Sequence, residues 1–156
     1  MEASALADQG MRAGQIIERI KEMQPLVRAS FVVDTLTYLH RGGRCSGLAA
    51  MAGSTLKLHP YIAVVDGKMQ PGKKYRGRME KVLCDYVDDL KPALETARRE
   101  RVFITHSGCD EAVINKVREK IEQLGYFDEI LITRAGCVIT SHCGPGTLGV
   151  VFVAGT

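Results

Sequence analysis

The chain is 156 residues long, with 46% hydrophobic and 25% charged residues, the composition of an ordinary globular domain. This length can bury a real core, and the composition excludes disorder, collagen-like repeats and coiled coil as descriptions of the whole chain. A net charge of +3 is too small to indicate a nucleic-acid partner, and 6% aromatic residues without Trp would supply few base-stacking side chains.

The N-terminal third of the sequence predicts two helices around a strand. Apolar residues recur at helical spacing over residues 16–27, where Pro25 ends or kinks the helix. Residues 29–33 are rich in β-branched side chains, which predicts a strand. Asp34 is placed to cap a short helix over residues 35–40, which the following Gly-Gly pair would stop.

The middle of the sequence predicts a third helix, a β-hairpin and the clearest helix of the chain. Residues 46–57, rich in Ala, Leu and Met, favour a helix. A strand over 61–65 precedes Asp-Gly, the signal of a tight turn, so a second strand should return over 68–74. An apolar stripe over 79–94 predicts an amphipathic helix, which Pro92 can break in two.

The last third predicts strands over 102–105, 130–133 and 148–153, with a helix over 113–124 between the first two. Strands that alternate with helices predict an α/β fold in which helices cover a sheet. Because the Asp-Gly hairpin pairs two strands antiparallel, we expect a mixed β-sheet covered by helices.

Residues 135–156 contain no Asp, Glu, Lys or Arg, over a length that could cross a bilayer. Five glycines, one proline and several hydroxyl residues in this segment argue against a membrane helix. We expect two buried strands joined by a tight Gly-Pro-Gly turn, and no integral membrane segment.

The five cysteines form no Cys-x-x-Cys pair. An odd number without that spacing is not typical of a secreted disulfide framework or of a zinc knuckle. The N-terminus lacks the basic and apolar regions of a signal peptide. We therefore expect reduced thiols in a cytoplasmic protein that holds no metal and no cofactor.

Four loops carry the residues best suited to bind a ligand, and in α/β folds ligands usually sit where loops leave the strand ends. These loops are residues 41–44, 73–78, 105–108 and 141–146. Arg44, Arg76 and His142 supply hydrogen-bond donors, and the glycines admit close backbone approach, which suits a carboxylate or a phosphate. No carboxylate pair and no P-loop motif accompanies them.

Structural explanations of the same residues stay open. The Gly-Gly pair is equally explained as a helix stop, and the basic run over 68–81 as a solvated face. His106 is better explained as a hydrogen-bonded structural residue, whereas His142, in a segment without other charges, favours a functional role. Cys143 follows His142 in a predicted strand, so the two side chains would point to opposite faces and could not pair. Cys109 with His106 is disfavoured as a metal site or as a nucleophile and its base, because free cysteines are mostly packing residues.

Four motifs of the sequence together resemble the DegV family. They are residues 31–44, which end in Gly-Gly-Arg; 59–68, followed by Lys73, Lys74 and Arg76-Gly77; 104–108; and 140–149, which contain Ser-His-Cys-Gly-Pro-Gly. They follow the family's order and spacing over nearly the whole chain. The resemblance implies a two-domain bacterial α/β fold that binds one long-chain fatty acid between its domains. It also implies, for some members, presentation of the acid to a separate fatty acid kinase.

The resemblance implies roles for individual residues. The ligand-binding set would be Gly43, Arg44, Arg76, His106, Ser141, His142 and Gly146. The basic strip Lys73, Lys74, Arg76 and Arg78 would meet the kinase or a phosphate of its nucleotide. The carrier does no chemistry unaided, so no residue is expected to be catalytic and the chain is not expected to be an enzyme.

The sequence departs from the family pattern in two respects. The family's chain is nearly twice as long, so we expect its N-terminal domain to be absent, as in a truncated gene product or an excised piece. Residues 1–28 would then be a helical segment of the domain, and 29–156 its DegV-like C-terminal α/β part. Cys45 replaces an aliphatic residue after Gly-Gly-Arg, and Ser141 and Cys143 depart mildly near the ligand.

Two other functions remain open at this point. Related α/β sandwiches include dihydroxyacetone kinase domains and mannose transporter domains with a phosphorylated histidine, in which case His106 or His142 would be covalently active. Alternatively, the chain is a plain interaction domain that forms homo-oligomers through the apolar surface left by a missing domain.

Overall fold

The computed structural model describes residues 1–43 and 58–155. Within these ranges the helices are α1 (Glu2–Asp8), α2 (Ala13–Met23), α3 (Thr37–Arg41), α4 (Met79–Leu94), α5 (Glu111–Glu122) and α6 (Cys137–Cys143), with a 3₁₀ turn at Gln24–Leu26. The strands are β1 (Val27–Val32), β2 (Leu58–Val65), β3 (Lys68–Arg76), β4 (Ala97–His106), β5 (Ile130–Arg134) and β6 (Leu148–Ala154). The helix predicted over residues 46–57 lies outside the described residues.

The six strands form one sheet in the order β3-β2-β1-β6-β4-β5. β4 and β5 pair parallel, and every other neighbouring pair is antiparallel, so the predicted mixed sheet is confirmed. The Asp-Gly hairpin is also confirmed. Asp66 and Gly67, between β2 and β3, both have positive φ, 50° and 71°, as a two-residue hairpin turn requires.

One face of the sheet is covered by α4 and α5. Strand residues at its centre, among them Val32, Ile104 and Val150, are completely buried against apolar residues of both helices. Tyr86 of α4 reaches into the sheet, where its hydroxyl donates to the Ser30 carbonyl at 3.0 Å and accepts the Val150 N–H at 3.1 Å. We call this side the covered face.

The opposite side, which we call the open face, is only partly covered. Near β1 and β2, α3 and α6 pack on it through Leu39 and Cys143, which form a small cluster with Ile62 and the partly buried Phe31. Farther along the sheet the residues that point to this side remain half-buried. They are Ala29, Phe103, Leu131, Val151 and Val153.

The N-terminal helices α1 and α2 bury no residue completely. Glu2 of α1 pairs with Arg101 of β4, which ties the N-terminus to the sheet. A cavity of about 380 Å³ lies beside these helices, with Leu6, Ile20 and Arg98 in its lining. No helix in the described part of the chain is both long and apolar enough to cross a bilayer.

The prediction of two strands after residue 135 is wrong. The first of them is the helix α6, and only the second, β6, is a strand. Val138, Ile139 and Thr140 are β-branched and favour extended backbone in isolation, but propensity is readily overridden by tertiary contacts. Here Cys143 packs into the small apolar cluster with Leu39 and Ile62, which we call the α3 cluster. The Gly-Pro-Gly turn therefore joins a helix to a strand.

Two predictions about helix ends also differ from the structure. Asp34 does not cap α3; the helix begins at Thr37 with Leu36 as its N-cap, and the Thr37 N–H donates to the Thr35 hydroxyl. Pro92 does not divide α4, which continues to Leu94. Because Pro92 lies in the last turn, its missing N–H removes a single hydrogen bond close to the helix end.

Candidate functional site

The C-terminus of α3 lies directly against the imidazole of His142 on α6. A methyl group on Gly42 would stand 2.0 Å from Nδ1 of His142, so a side chain at this position would displace the ring. Gly42 ends α3 and Gly43 has a φ of +66°, which confirms the predicted helix stop. The glycine pair therefore has two roles, since it also makes room for the half-buried His142.

The Gly-Pro-Gly loop, residues 144–146, follows α6 and is held from three sides. Gly144 has a φ of +81°, and a Cβ there would meet the ring of Tyr38 at 2.2 Å. The buried hydroxyl of Ser107 donates to the Gly144 carbonyl, and the Ser107 N–H donates to the Thr147 carbonyl at 2.9 Å. The Thr147 hydroxyl donates to the Cys143 carbonyl at 3.0 Å. These hydrogen bonds fix the loop relative to the C-terminal end of α6, the helix that carries His142.

Sequence reasoning missed Ser107, Tyr38 and Thr147 as parts of this site. Ser107 stands in a loop that was singled out, but no local signal distinguishes it from its neighbours. Its hydroxyl is buried, with only 3% of the residue exposed. A serine hydroxyl that is buried at the end of a strand needs a hydrogen-bond acceptor. This requirement is the only signal in the sequence that could have indicated a role for Ser107.

His106 lies apart from His142. In register it neighbours Leu148 and Arg134, so it shares the covered face, whereas α6 packs on the other face. Its Nδ1 accepts the Cys109 N–H at 3.3 Å, as expected of a structural histidine. Burial, and then the positive charge of Arg134, lower the pKa of His106.

The hydroxyls of α6 donate to carbonyls of the same helix or of the residues just before it. Ser141 is exposed and donates to the Val138 carbonyl at 2.9 Å, while Thr140 donates to the Ala135 carbonyl at 3.2 Å. Gly146, with a φ of +75°, is half-buried beside Asp34. Val138 and Ile139 are 65% and 56% exposed, which leaves an apolar surface on the helix that carries His142.

The predicted basic strip divides into bound and exposed residues. Lys73 pairs with Asp89 at 2.5 Å and lies over the Tyr75 ring, so its charge is neutralised locally. Hydrogen bonds from Lys73 and Tyr75 lower the pKa of Asp89. By contrast Lys74, Arg76 and Arg78 are exposed. We call residues 76–78, the last residue of β3 and the two that join it to α4, the basic turn. Arg44 and Cys45 lie outside the described residues.

Cys109 and Cys143, the two thiols next to histidines in the sequence analysis, are not placed as nucleophiles. His142 and Cys143 are neighbours on α6 rather than on a strand, and Cys143 points into the α3 cluster. Burial raises the pKa of Cys143, and burial followed by Asp110 raises that of Cys109 to about 11, so both thiols are protonated at neutral pH. In residues 1–43 and 58–155 no three His, Cys, Asp or Glu side chains group as metal ligands would.

The sequence of the chain matches a family of known proteins. The model of the family described as "Uncharacterised protein, DegV family" matches residues 1–155. A DegV domain-containing protein of Clostridium perfringens is 34% identical over an alignment that covers 99% of this chain and 53% of that protein.

Two solved structures are similar to this chain. A DegV family protein from Thermus thermophilus, reported for its fatty acid binding, is 28% identical with a TM-score of 0.84, over 97% of this chain and 54% of that one. DegV of Bacillus subtilis, described as a fatty acid binding protein, is 29% identical with a TM-score of 0.75, over 98% and 54%. The chain spans about half the length of the relatives it matches. The family match along nearly all of its residues shows that the chain belongs to the DegV family.

Proposed function

We propose that this chain forms one side of a binding site for a long-chain fatty acid. The carboxylate would lie at His142 and the loop glycines, and the alkyl chain would lie on the open face. The observation that carries the proposal is the half-buried apolar surface of Phe103, Leu131 and Val151, on the same face of the sheet as α6, which carries the imidazole of His142.

The physical chemistry of the ligand fits these two parts. Each buried CH₂ group contributes about 0.8 kcal/mol, so roughly fourteen groups would contribute on the order of ten kcal/mol before ordering costs. A carboxylate cannot be buried without donors. The imidazole of His142 and the Gly146 N–H would supply them, with Arg44 as a further donor. Fatty acid binding by the relatives from Thermus thermophilus and Bacillus subtilis supports the proposal.

Native mass spectrometry with oleate tests this proposal on the chain itself. Val151→Lys, on the open face, would place a charge under the alkyl chain and should abolish a one-to-one adduct. Ile17→Lys, at a residue of α2 that is 54% exposed, is the matched control and should leave the adduct intact. Equal occupancy in Val151→Lys and the unaltered chain would place the ligand elsewhere.

We also propose that the bound acid is presented to a separate kinase in the cytoplasm, which docks on the basic turn, and that this chain is itself no enzyme. Arg76 and Arg78 are exposed and flank a single glycine, an arrangement that presents two guanidinium groups to a phosphate or an acidic surface. In the complete protein, Arg76→Ala should reduce kinase-dependent acyl phosphate formation. Lys68→Ala, at the far end of the same strand, is the control. Unchanged phosphorylation in Arg76→Ala would remove the role of Arg76.

A further inference from the structure

His59 is a buried histidine that the proposed function leaves unused. Its side chain is 8% exposed, and its Nε2 lies 3.0 Å from the carbonyl oxygen of Gly77. Because a carbonyl can only accept, Nε2 carries a proton and donates it. The other ring nitrogen, Nδ1, is also buried and makes no hydrogen bond within the part of the chain that the structure describes. Oδ1 of Asp34 lies 3.3 Å from it.

The two neighbours of His59 are Gly77, which belongs to the basic turn, and Asp34, which lies between β1 and α3. Gly77 separates Arg76 from Arg78 in the basic turn, and its φ of +120° is one that L side chains rarely adopt. On the other side of the ring, a Cβ placed on Gly146 would lie 3.7 Å from Cβ of Asp34. His59 therefore lies between the basic turn, to which it donates a hydrogen bond, and Asp34, whose Cβ is close to Gly146 of the Gly-Pro-Gly loop.

A backbone hydrogen bond holds Asp34 and His59 next to each other. The Val33 N–H donates to the Pro60 carbonyl at 3.2 Å, which sets the residues next to them, Asp34 and His59, side by side. A nitrogen buried without a hydrogen bond is unfavourable, and an apolar residue in the same place would avoid the cost. The unfavourable burial of Nδ1 is explained if the residue at this position must donate a hydrogen bond to the Gly77 carbonyl.

We propose that His59 is a positioning residue that, together with Asp34, holds the basic turn in fixed register with the Gly-Pro-Gly loop. This inference rests on the proposed function, in which the loop meets the ligand carboxylate and the turn meets its anionic partner. Transfer of a group to a bound carboxylate requires both sides to be held to within about 1 Å, because small misplacements cost large factors in rate.

The test uses two variants of the whole chain that differ only in hydrogen bonding. The amide nitrogen of a glutamine can replace Nε2 as donor to Gly77, so His59→Gln should preserve the turn. His59→Leu keeps the bulk and removes the donor. Amide exchange measured by NMR at Val82, whose N–H donates to the Arg78 carbonyl of the basic turn, should accelerate about tenfold in His59→Leu, the effect of one lost hydrogen bond, and about twofold at most in His59→Gln. Asp34→Asn should shift the resonances of both the basic turn and the Gly-Pro-Gly loop.

A further signature separates positioning from a general loss of stability. Nitrogen NMR of the unaltered chain should show a slowly exchanging proton on Nε2 of His59. Exchange that rises uniformly across α4 and the sheet in His59→Leu, without rescue by His59→Gln, would overturn the proposal, and so would loop resonances that Asp34→Asn leaves unmoved. Native mass spectrometry with oleate is the independent arm. If oleate fails to bind the unaltered chain while the NMR results hold, the proposed function fails and the positioning role stands.

Discussion

The two faces of the sheet are built from alternate residues of the same strands, yet they differ in how completely they are buried. Val150 and Val151 are adjacent on β6; the first is fully buried under α4 and α5, and the second remains half-buried on the open face. Since successive side chains on a strand point to opposite sides, one strand can contribute to stability with one residue and to a ligand surface with the next. The covered face is the packed side of the sheet, and the open face is the side on which we propose that the alkyl chain lies.

The polar groups of the two faces follow the same division. On the covered face the Tyr86 hydroxyl makes three hydrogen bonds, one of them with the Ser30 hydroxyl at 2.8 Å. Burial raises the pKa of Tyr86, so this hydroxyl stays protonated as a donor. Next to the open face, His142 is half-buried in a space bounded by Gly42. The Tyr86 hydroxyl on the covered face completes a core, whereas His142, next to the open face, stays partly exposed.

The largest effect is expected from truncating the valines on opposite faces. Val150→Ala should lower the free energy of unfolding by about 2 kcal/mol, because it leaves a cavity in a fully packed region. Val151→Ala should cost less than half as much, because its side chain is already in contact with water. Denaturant unfolding of both variants measures the difference, and oleate occupancy should fall only in Val151→Ala. Equal losses of stability would mean that the two faces are equally packed.

A smaller effect is expected from a matched pair of serines. Ser107→Ala removes the donor to the buried Gly144 carbonyl and should destabilise the fold by about 1–2 kcal/mol. Ser141→Ala removes an exposed hydroxyl that bonds within its own helix and should change stability by less than about 0.5 kcal/mol. Thermal unfolding compares the two, and chemical shifts of Gly144 and Gly146 should move only in Ser107→Ala. A loop that keeps its shifts without Ser107 would be held by Tyr38 and Thr147 alone.

Sequence reasoning was most reliable where local chemistry decides the structure. The apolar stripe of α4 and the Asp-Gly hairpin are encoded within a few residues, and both are confirmed. α6 was missed because its β-branched residues favour a strand, and the helix is stabilised by distant contacts of Cys143. The site was only partly predictable for the same reason. His142 was marked by its uncharged surroundings, whereas Ser107 acts through residues about 40 positions away in the chain.

The smallest effect concerns pH and the covered face. Burial, followed by the charge of Arg134, lowers the pKa of His106 from its ordinary value of 6.5, so the unfolded chain takes up this proton at a higher pH than the folded chain. The contribution to stability is therefore fully present above about pH 6.5 and declines as the pH falls toward the folded-state pKa. His106→Gln should flatten this part of the stability profile, measured by urea unfolding between pH 5 and 7. Arg134→Ala should move the NMR titration of His106 back toward its ordinary range, but only in part, because burial is the larger cause. A complete return in Arg134→Ala would assign the shift to charge alone, and parallel stability profiles for His106→Gln and the unaltered chain would show that His106 does not couple folding to pH.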